Sequence, residues 1–208
     1  MNVSALRALV LVAAVCGTST FAAAQRDEPG SPWADSPLTI LQLNDVYSIT
    51  PVDGAGGLAR VATLKQTLAA AGRTPFVMLA GDFLSSSVES TVFKGEQMIA
   101  SLNAAGLDMA TLGNHEFDFG IDLLLQRMAE AKFQWVVSNV VDLRTNRPIG
   151  GAEPFVVRTF GHLKVGFIGL CLTEEGPAER LKQVRILDPA EAAAMYIPML
   201  KAQQVDAI

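Results

Sequence analysis

Short apolar runs of strand length alternate with amphipathic stretches of helical period, and this alternation constrains the fold more than any other feature of the chain. The predicted strands cover 38–43, 76–80, 109–112 and 135–138. The predicted helices cover 57–71, 95–105 and 120–131. Repeated strand–helix–strand order implies right-handed crossovers and a largely parallel sheet. The sequence therefore predicts an α/β fold.

The pattern changes after residue 140. Apolar runs at 155–160 and 164–170 flank Gly161-His162-Leu163, which predicts a β-hairpin. A helix is expected over 189–203, with Asp188 as its N-cap. Residues from Val205 onward resemble the start of another strand, so we expect a domain that is incomplete at its C-terminus.

The first 24 residues have the features of a secretory signal peptide. Arg7 precedes an apolar run, and the small residues Ala22, Ala23 and Ala24 suit a signal peptidase. A membrane anchor is the alternative, but spanning a bilayer takes about 20 apolar residues. Lipidation at Cys16 is disfavoured by the bulky Val15. We expect a secreted or periplasmic protein without a membrane anchor after cleavage, and an extended leader over 25–37.

Charge and cysteine content exclude some classes of protein. The 208 residues carry a net charge of −5, which argues against nucleic-acid binding through a basic face. Small phosphorylated substrates stay possible, because a bound metal can supply local positive charge. Cys171 is the lone cysteine after signal removal, so we predict a buried, inert thiol there.

Three polar stretches follow directly on three of the predicted strands. They are Leu-Asn-Asp-Val-Tyr at 43–47, Ala-Gly-Asp-Phe-Leu at 80–84 and Leu-Gly-Asn-His-Glu-Phe-Asp at 112–118. Open parallel sheets bind ligands beyond the carboxyl ends of their strands. The shared position of the three stretches predicts one functional site at that edge.

Asp45, Asp82 and Asn114 are the candidate metal ligands. Carboxylates on neighbouring strand ends can approach one metal or bridge two, which would polarise a phosphoryl group. Asn114 adds a neutral oxygen donor that does not repel phosphate. The alternative for each residue is a turn or helix cap, which is common for Asp.

His115 and Asp118 are the candidate catalytic pair. Residues three apart on a turn entering a helix can face each other, and a carboxylate orients an imidazole and favours its charged form. His115 would then bind phosphate or protonate a leaving oxygen. Direct metal ligation or simple packing of His115 stays open. Glu116 is expected to cap the helix or face solvent.

Three further features carry weaker signals. His162 lies in the predicted hairpin turn and is expected to be solvated. Gly56 and Gly57 precede a helix and are interpreted as turn glycines. Arg60 is a candidate for steadying the site without contacting the metals.

These residues are similar to the motifs of the calcineurin-like metallophosphoesterase superfamily. The match lies in Asn44-Asp45, in 56–60, in Gly81-Asp82 and above all in Gly-Asn-His-Glu-Phe-Asp at 113–118. The chain resembles the secreted 5'-nucleotidase and UDP-sugar hydrolase family most closely. The resemblance implies a four-layer αββα sandwich, of which 38–208 would be the N-terminal part, holding two divalent metal ions.

The resemblance also implies roles for individual residues. Asp82 would bridge the two metals, and Asp45 and Asn114 would each bind one. His115 and Asp118 would form a dyad that stabilises the transition state, while an activated water attacks phosphorus in line without a covalent intermediate.

Two departures from the family pattern bear on activity. The family usually has His where this chain has Tyr47, and a phenol with an ordinary pKa near 10 is a poor ligand unless it loses its proton. We expect a weakened first metal site, with Tyr47 a doubtful ligand. The family's later histidine ligands and its base-binding C-terminal domain are absent from these residues, so we expect this segment alone to be poorly active.

The expected function is metal-dependent hydrolysis of phosphate esters, with a nucleotide as the small phosphorylated substrate. Manganese, zinc and magnesium all suit mixed Asp, Asn and His sites. One alternative is a remnant that binds metal or phosphate without catalysis. Another is a phosphodiesterase acting on cyclic nucleotides.

Overall fold

The computed structural model describes residues 31–172 and 181–208. The predicted signal peptide lies outside the described residues. The strands, in chain order, are β1 Ile40–Leu43, β2 Phe76–Ala80, β3 Met109–Thr111, β4 Gln134–Trp135, β5 Val140–Asp142, β6 Arg147–Pro148, β7 Val156–Phe160, β8 Leu163–Phe167 and β9 Val184–Ile186. The helices are α1 Leu58–Ala70, α2 Val88–Phe93, α3 Glu96–Ala105, α4 Ile121–Glu130 and α5 Pro189–Ala202, with short 3₁₀ turns at His115–Phe117 and Ile149–Gly151.

The first sheet is parallel and has the order β1-β2-β3-β4. Strands in sequential order joined by right-handed crossovers place every connecting helix on the same face. Helices α1, α3 and α4 accordingly share one core cluster with alternate residues of β2, such as Val77 and Leu79. The carboxyl ends of β1, β2 and β3 therefore meet at one edge, as predicted.

The opposite face of this sheet packs against the antiparallel hairpin β7-β8. Phe76 of β2 and Met109 of β3 contact a cluster that includes Phe160 and Phe167 of the hairpin. The other face of the hairpin packs on Tyr196 and Leu200 of α5. The layer order is helices, sheet, hairpin sheet and helix, so the predicted α/β class with four αββα layers is confirmed.

The predicted cap of α5, the hairpin turn and the burial of Cys171 are also confirmed. Asp188 caps α5 by accepting hydrogen bonds from the backbone N–H groups of Ala190 (2.8 Å) and Glu191 (3.1 Å). The β-hairpin turns where expected, and His162 at its tip is exposed. Cys171 is buried, with 2% of its surface exposed. Within the described residues, no helix is both long enough and apolar enough to cross a membrane.

The prediction of an extended leader is wrong for its described part, residues 31–37. This segment forms turns, with the N–H of Ser36 donating to the carbonyl of Trp33. The Trp33 ring packs edge-on against Phe76 at a centroid distance of 5.1 Å and also contacts Phe160. Contacts of the partly buried Trp33 ring with these aromatic side chains favour the turned conformation.

Two predicted strands differ in the structure. The fourth strand was expected over 135–138 but is Gln134–Trp135, because Val137 and Ser138 donate instead to the carbonyls of Glu153 and Gly169. The residues after Val205 form a single parallel bridge, Ala207 to Val165, rather than a strand. Both differences arise because backbone groups at the sheet margin pair with segments that are distant in sequence.

Candidate active site

The loops that follow β1, β2 and β3 are joined by hydrogen bonds at one edge of the sheet. The backbone N–H of Asp45 donates to the carbonyl of Gly81 at 3.3 Å. The backbone N–H of His115 donates to Oδ1 of Asp82 at 2.9 Å. The structure thus brings the loops carrying Asp45, Asp82 and Asn114 together.

Two glycines let the second and third loops approach this closely. A Cβ atom on Gly81 would lie 2.4 Å from the backbone N of Gly113, and one on Gly113 would lie 2.2 Å from Oδ1 of Asp82. Real Cβ atoms do not approach other atoms so closely. The glycines that precede Asp82 and Asn114 are therefore a steric requirement of the site.

Asp45 and Asp82 both have left-handed backbone conformations, with φ of 53° and 61°. Residues other than glycine adopt this region rarely, and Asp and Asn tolerate it best. Such strain persists only where the surrounding structure holds it, and it concentrates at functional sites. It occurs here at two of the predicted metal ligands.

His115 and Asp118 form the predicted pair. The Nδ1–H of His115 donates to Oδ2 of Asp118 at 2.8 Å, and the hydroxyl of the buried Ser85 donates to the same oxygen. The Ser86 hydroxyl lies 3.1 Å from Nδ1. The hydrogen bond to Asp118 raises the pKa of His115 against the opposing effect of partial burial. Asp118 thus holds Nδ1 and leaves Nε2 as the nitrogen able to meet a substrate oxygen.

Tyr47 lies in the first loop and contacts the third. Its hydroxyl donates to Oδ1 of Asp45 at 2.9 Å, and its ring meets the His115 ring edge-on at 5.7 Å between centroids. Burial and the hydrogen bond to Asp45 raise the pKa of Tyr47 well above its ordinary value. Hydrogen bonds from Asn44 and Tyr47 in turn lower the pKa of Asp45. Tyr47 is therefore held as a neutral donor to Asp45.

The expectation that Glu116 caps a helix or faces solvent is wrong. Its side chain is buried, with 1% exposed, and its carboxylate accepts four backbone hydrogen bonds. The donors are the N–H groups of Asp82 (2.8 Å), Phe83 (2.8 Å), Leu84 (3.1 Å) and Gly113 (2.6 Å). Burial raises the pKa of Glu116, and the four donors oppose that rise by favouring the carboxylate.

A family profile for calcineurin-like phosphoesterases matches residues 38–183, which include all three loops of this site. The chain belongs to the calcineurin-like phosphoesterase family. The predicted resemblance is thereby confirmed.

Relatives and solved structures of calcineurin-like phosphoesterases agree with this assignment. A snake venom 5'-nucleotidase from Naja atra is 32% identical over 157 residues, which cover 67% of this chain and 29% of that protein. An NAD 5'-nucleotidase from Haemophilus influenzae is 28% identical over 187 residues, which cover 82% of this chain and 31% of that protein. The crystal structure of a 5'-nucleotidase precursor from Thermus thermophilus matches with a TM-score of 0.69 and 29% identity, over 81% of this chain and 35% of that one. The chain thus spans about a third or less of the length of these proteins.

Calcineurin-like phosphoesterases use divalent metal ions, and the oxygen donors of Asp82 and Asn114 are of a type that binds such ions. Within the described residues, neither Oδ2 of Asp82 nor the side-chain amide of Asn114 has a hydrogen-bond partner, so both retain lone pairs for a cation. Carboxylate and amide oxygens suit magnesium and manganese. No three His, Cys, Asp or Glu side chains cluster into a metal-binding group in the described part of the chain. The predicted set of metal ligands therefore needs the side-chain oxygen of Asn114 in addition to the carboxylates.

The remaining candidate residues lie in the loop before α1 and in the first turn of that helix. Arg60 is exposed and donates to the carbonyl of Gly54 at 2.5 Å, within the loop before α1. Its supporting role at the site stays a prediction. Gly56 and Gly57 have φ of 70° and 96°, as expected of turn glycines. A Cβ atom on Gly57 would lie 2.9 Å from Cδ of Pro51.

Proposed function

We propose that this chain supplies part of the catalytic site of a metal-dependent hydrolase acting on phosphate esters of nucleotides. The observation that carries the proposal is the hydrogen-bonded His115–Asp118 pair, whose histidine backbone is tied to the Asp82 carboxylate. A protein that only binds metal has no use for an imidazole held in this way. Curated relatives named 5'-nucleotidase and NAD 5'-nucleotidase support nucleotides as the substrate class.

The charges at the site support a requirement for cations. Asp45 and Asp82 are acidic residues on loops joined by a backbone hydrogen bond. They would repel the dianionic phosphate of a substrate unless positive charge lay between them. Two divalent ions held by Asp45, Asp82 and Asn114 would meet that need, polarise the phosphoryl oxygens and generate hydroxide near neutral pH.

The residues of the chain itself then have distinct tasks. Asp118 accepts from Nδ1 of His115 and so stabilises the imidazolium. Nε2 of His115 is the atom that would hydrogen-bond a phosphoryl oxygen or protonate the leaving oxygen. Ser85 donates to the carboxylate of Asp118 and restrains it from turning away.

A second candidate is a domain that binds metal or phosphate without turnover. The hydrogen bond from Tyr47 to Asp45 favours it, since it occupies an oxygen that a metal would use. The proposed weak activity of residues 25–208 rests on the same bond.

Phosphate release from AMP, with Mn²⁺ present, tests the proposal. We expect slow release by this chain and a further loss of about 10²–10⁴-fold after substitution of His115. Mn²⁺ binding without phosphate release would favour the second candidate. Fast turnover by residues 25–208 alone would contradict the proposed weak activity.

We also propose that the protein is exported, with cleavage after Ala24. The charged, apolar and small-residue regions of the first 24 residues support this. Export would place a nucleotide hydrolase where it meets substrates outside the cytoplasm.

A further inference from the structure

Glu116 accepts hydrogen bonds from two of the three loops that carry the candidate metal ligands, yet no step of the proposed reaction uses it. Its Oε1 accepts from Phe83 and Leu84 in the loop after β2. Its Oε2 accepts from Asp82 in that same loop and from Gly113 in the loop after β3. Oε2 of Glu116 therefore connects Asp82 with Gly113, the residue that precedes Asn114.

Four backbone N–H groups donate to the carboxylate of Glu116. Successive backbone N–H groups form a concave site for an anion, and here the anion is a side chain of the protein. Burying a carboxylate costs free energy unless hydrogen bonds compensate for the lost water. Four N–H groups do so here, and a neutral side chain of the same size would leave some of them unsatisfied.

Hydrogen bonds hold Asp82 at both its backbone and its side chain. Glu116 accepts from the backbone N–H of Asp82, while Oδ1 of Asp82 accepts from the backbone N–H of His115, the neighbour of Glu116. These reciprocal bonds restrain both the left-handed backbone of Asp82 and its carboxylate. Glycines 81 and 113 allow the contact but cannot by themselves hold it.

We propose that Glu116 is a positioning residue, which sets the distance between Asp82 and the loop of Asn114 and His115 and thereby sets the affinity of the site for divalent cations. The inference rests on the proposed function in assigning Asp82 and Asn114 to the cation. Partners that orient metal ligands typically contribute about 10–100-fold to metal affinity.

The test compares Glu116→Gln and Glu116→Asp with Asp108→Asn in the full chain. Asp108 is a matched control because its carboxylate also accepts a backbone hydrogen bond, from Val77 at 2.8 Å, but at the opposite end of β3. Two quantities are measured. One is the hydrogen-exchange rate of the His115 amide by NMR without metal, relative to core amides. The other is the Mn²⁺ dissociation constant by calorimetry.

Both Glu116 variants are expected to speed exchange at His115 selectively and to weaken Mn²⁺ binding by about tenfold or more. Asp108→Asn is expected to lower the melting temperature without either effect. Should Glu116→Gln not fold, Glu116→Asp decides, because it keeps the charge but is one methylene too short to reach both loops. The inference would be overturned if the Glu116 and Asp108 variants changed the Mn²⁺ dissociation constant equally and sped hydrogen exchange uniformly over the domain.

Neither measurement requires hydrolysis. A chain that binds Mn²⁺ but releases no phosphate would contradict the proposed function and leave the role of Glu116 decided by these two readouts. If the Glu116 variants sped hydrogen exchange of the His115 amide selectively but left the Mn²⁺ affinity unchanged, Glu116 would not set the affinity for divalent cations.

Discussion

The hydroxyl of Tyr47 donates a 2.9 Å hydrogen bond to Oδ1 of Asp45, two residues earlier in the same loop. The phenol in this position donates to a candidate metal ligand. The histidine that the family resemblance implies there would offer a nitrogen lone pair to a metal instead.

Tyr47→Phe is expected not to lower the bound metal content, because the phenol supplies no donor atom to the metal and its removal frees an oxygen of Asp45. Tyr47→His is expected to raise metal affinity, since imidazole is a good ligand for zinc and manganese. Metal content after dialysis, measured by mass spectrometry, checks both. A loss of metal in Tyr47→Phe would show that the phenol oxygen is a ligand.

Replacing the catalytic pair should remove hydrolysis without removing metal. We expect His115→Asn and Asp118→Asn to lower phosphate release by about 10²–10⁴-fold, the usual contribution of a positioned acid or base. His162→Asn is the control, because this histidine is exposed in the β7-β8 turn. If His115→Asn also lost its metal, His115 would be a ligand instead.

Gly113→Ala tests the close approach of the second and third loops. The added methyl would overlap Oδ1 of Asp82, so we expect a loss of about 1–3 kcal/mol in the free energy of unfolding and a displaced Asp82. Gly72→Ala is the comparison, because its Cβ meets open space at a φ of 75° and strains only the backbone. Denaturant melts should show losses in both variants, while Mn²⁺ titration should show weakened binding in Gly113→Ala alone.

Removing metal with a chelator should abolish phosphate release but leave the domain folded, because the core clusters are built from apolar side chains. Adding Mn²⁺ at 100 times its dissociation constant should then stabilise the folded state by about 2.7 kcal/mol. Thermal melts with and without Mn²⁺ measure this shift. Unfolding on chelation would assign the metal a structural role as well.

If the protein is exported, cleavage of the signal peptide should leave one defined N-terminus on the mature protein. The protein recovered from outside the cytoplasm should begin at Gln25, and Ala22→Asp with Ala24→Asp should retain the precursor. Mass spectrometry of the N-terminal peptide measures the cleavage position. An intact Met1 on the exported protein would contradict the signal-peptide prediction.

Local sequence was sufficient to predict the α/β class and the edge of the sheet that carries the site. Apolar runs such as Phe76–Ala80 form strands because their residues face two cores, and the polar residues after them have no core to enter. Asp188 capped α5 as predicted, because capping depends on neighbours only two and three residues away.

Only the tertiary structure decided the role of Glu116, the hydrogen bond between Tyr47 and Asp45, and the return of Trp33 onto the core. Three of the four partners of Glu116 come from a segment more than 30 residues earlier, and no local pattern records which backbone N–H groups a fold will bring to a side chain. The sequence by itself determined which residues could do the chemistry. The packing of three loops at one sheet edge decided which of them touch, because hydrogen bonds and close contacts depend on distance in space rather than on position along the chain.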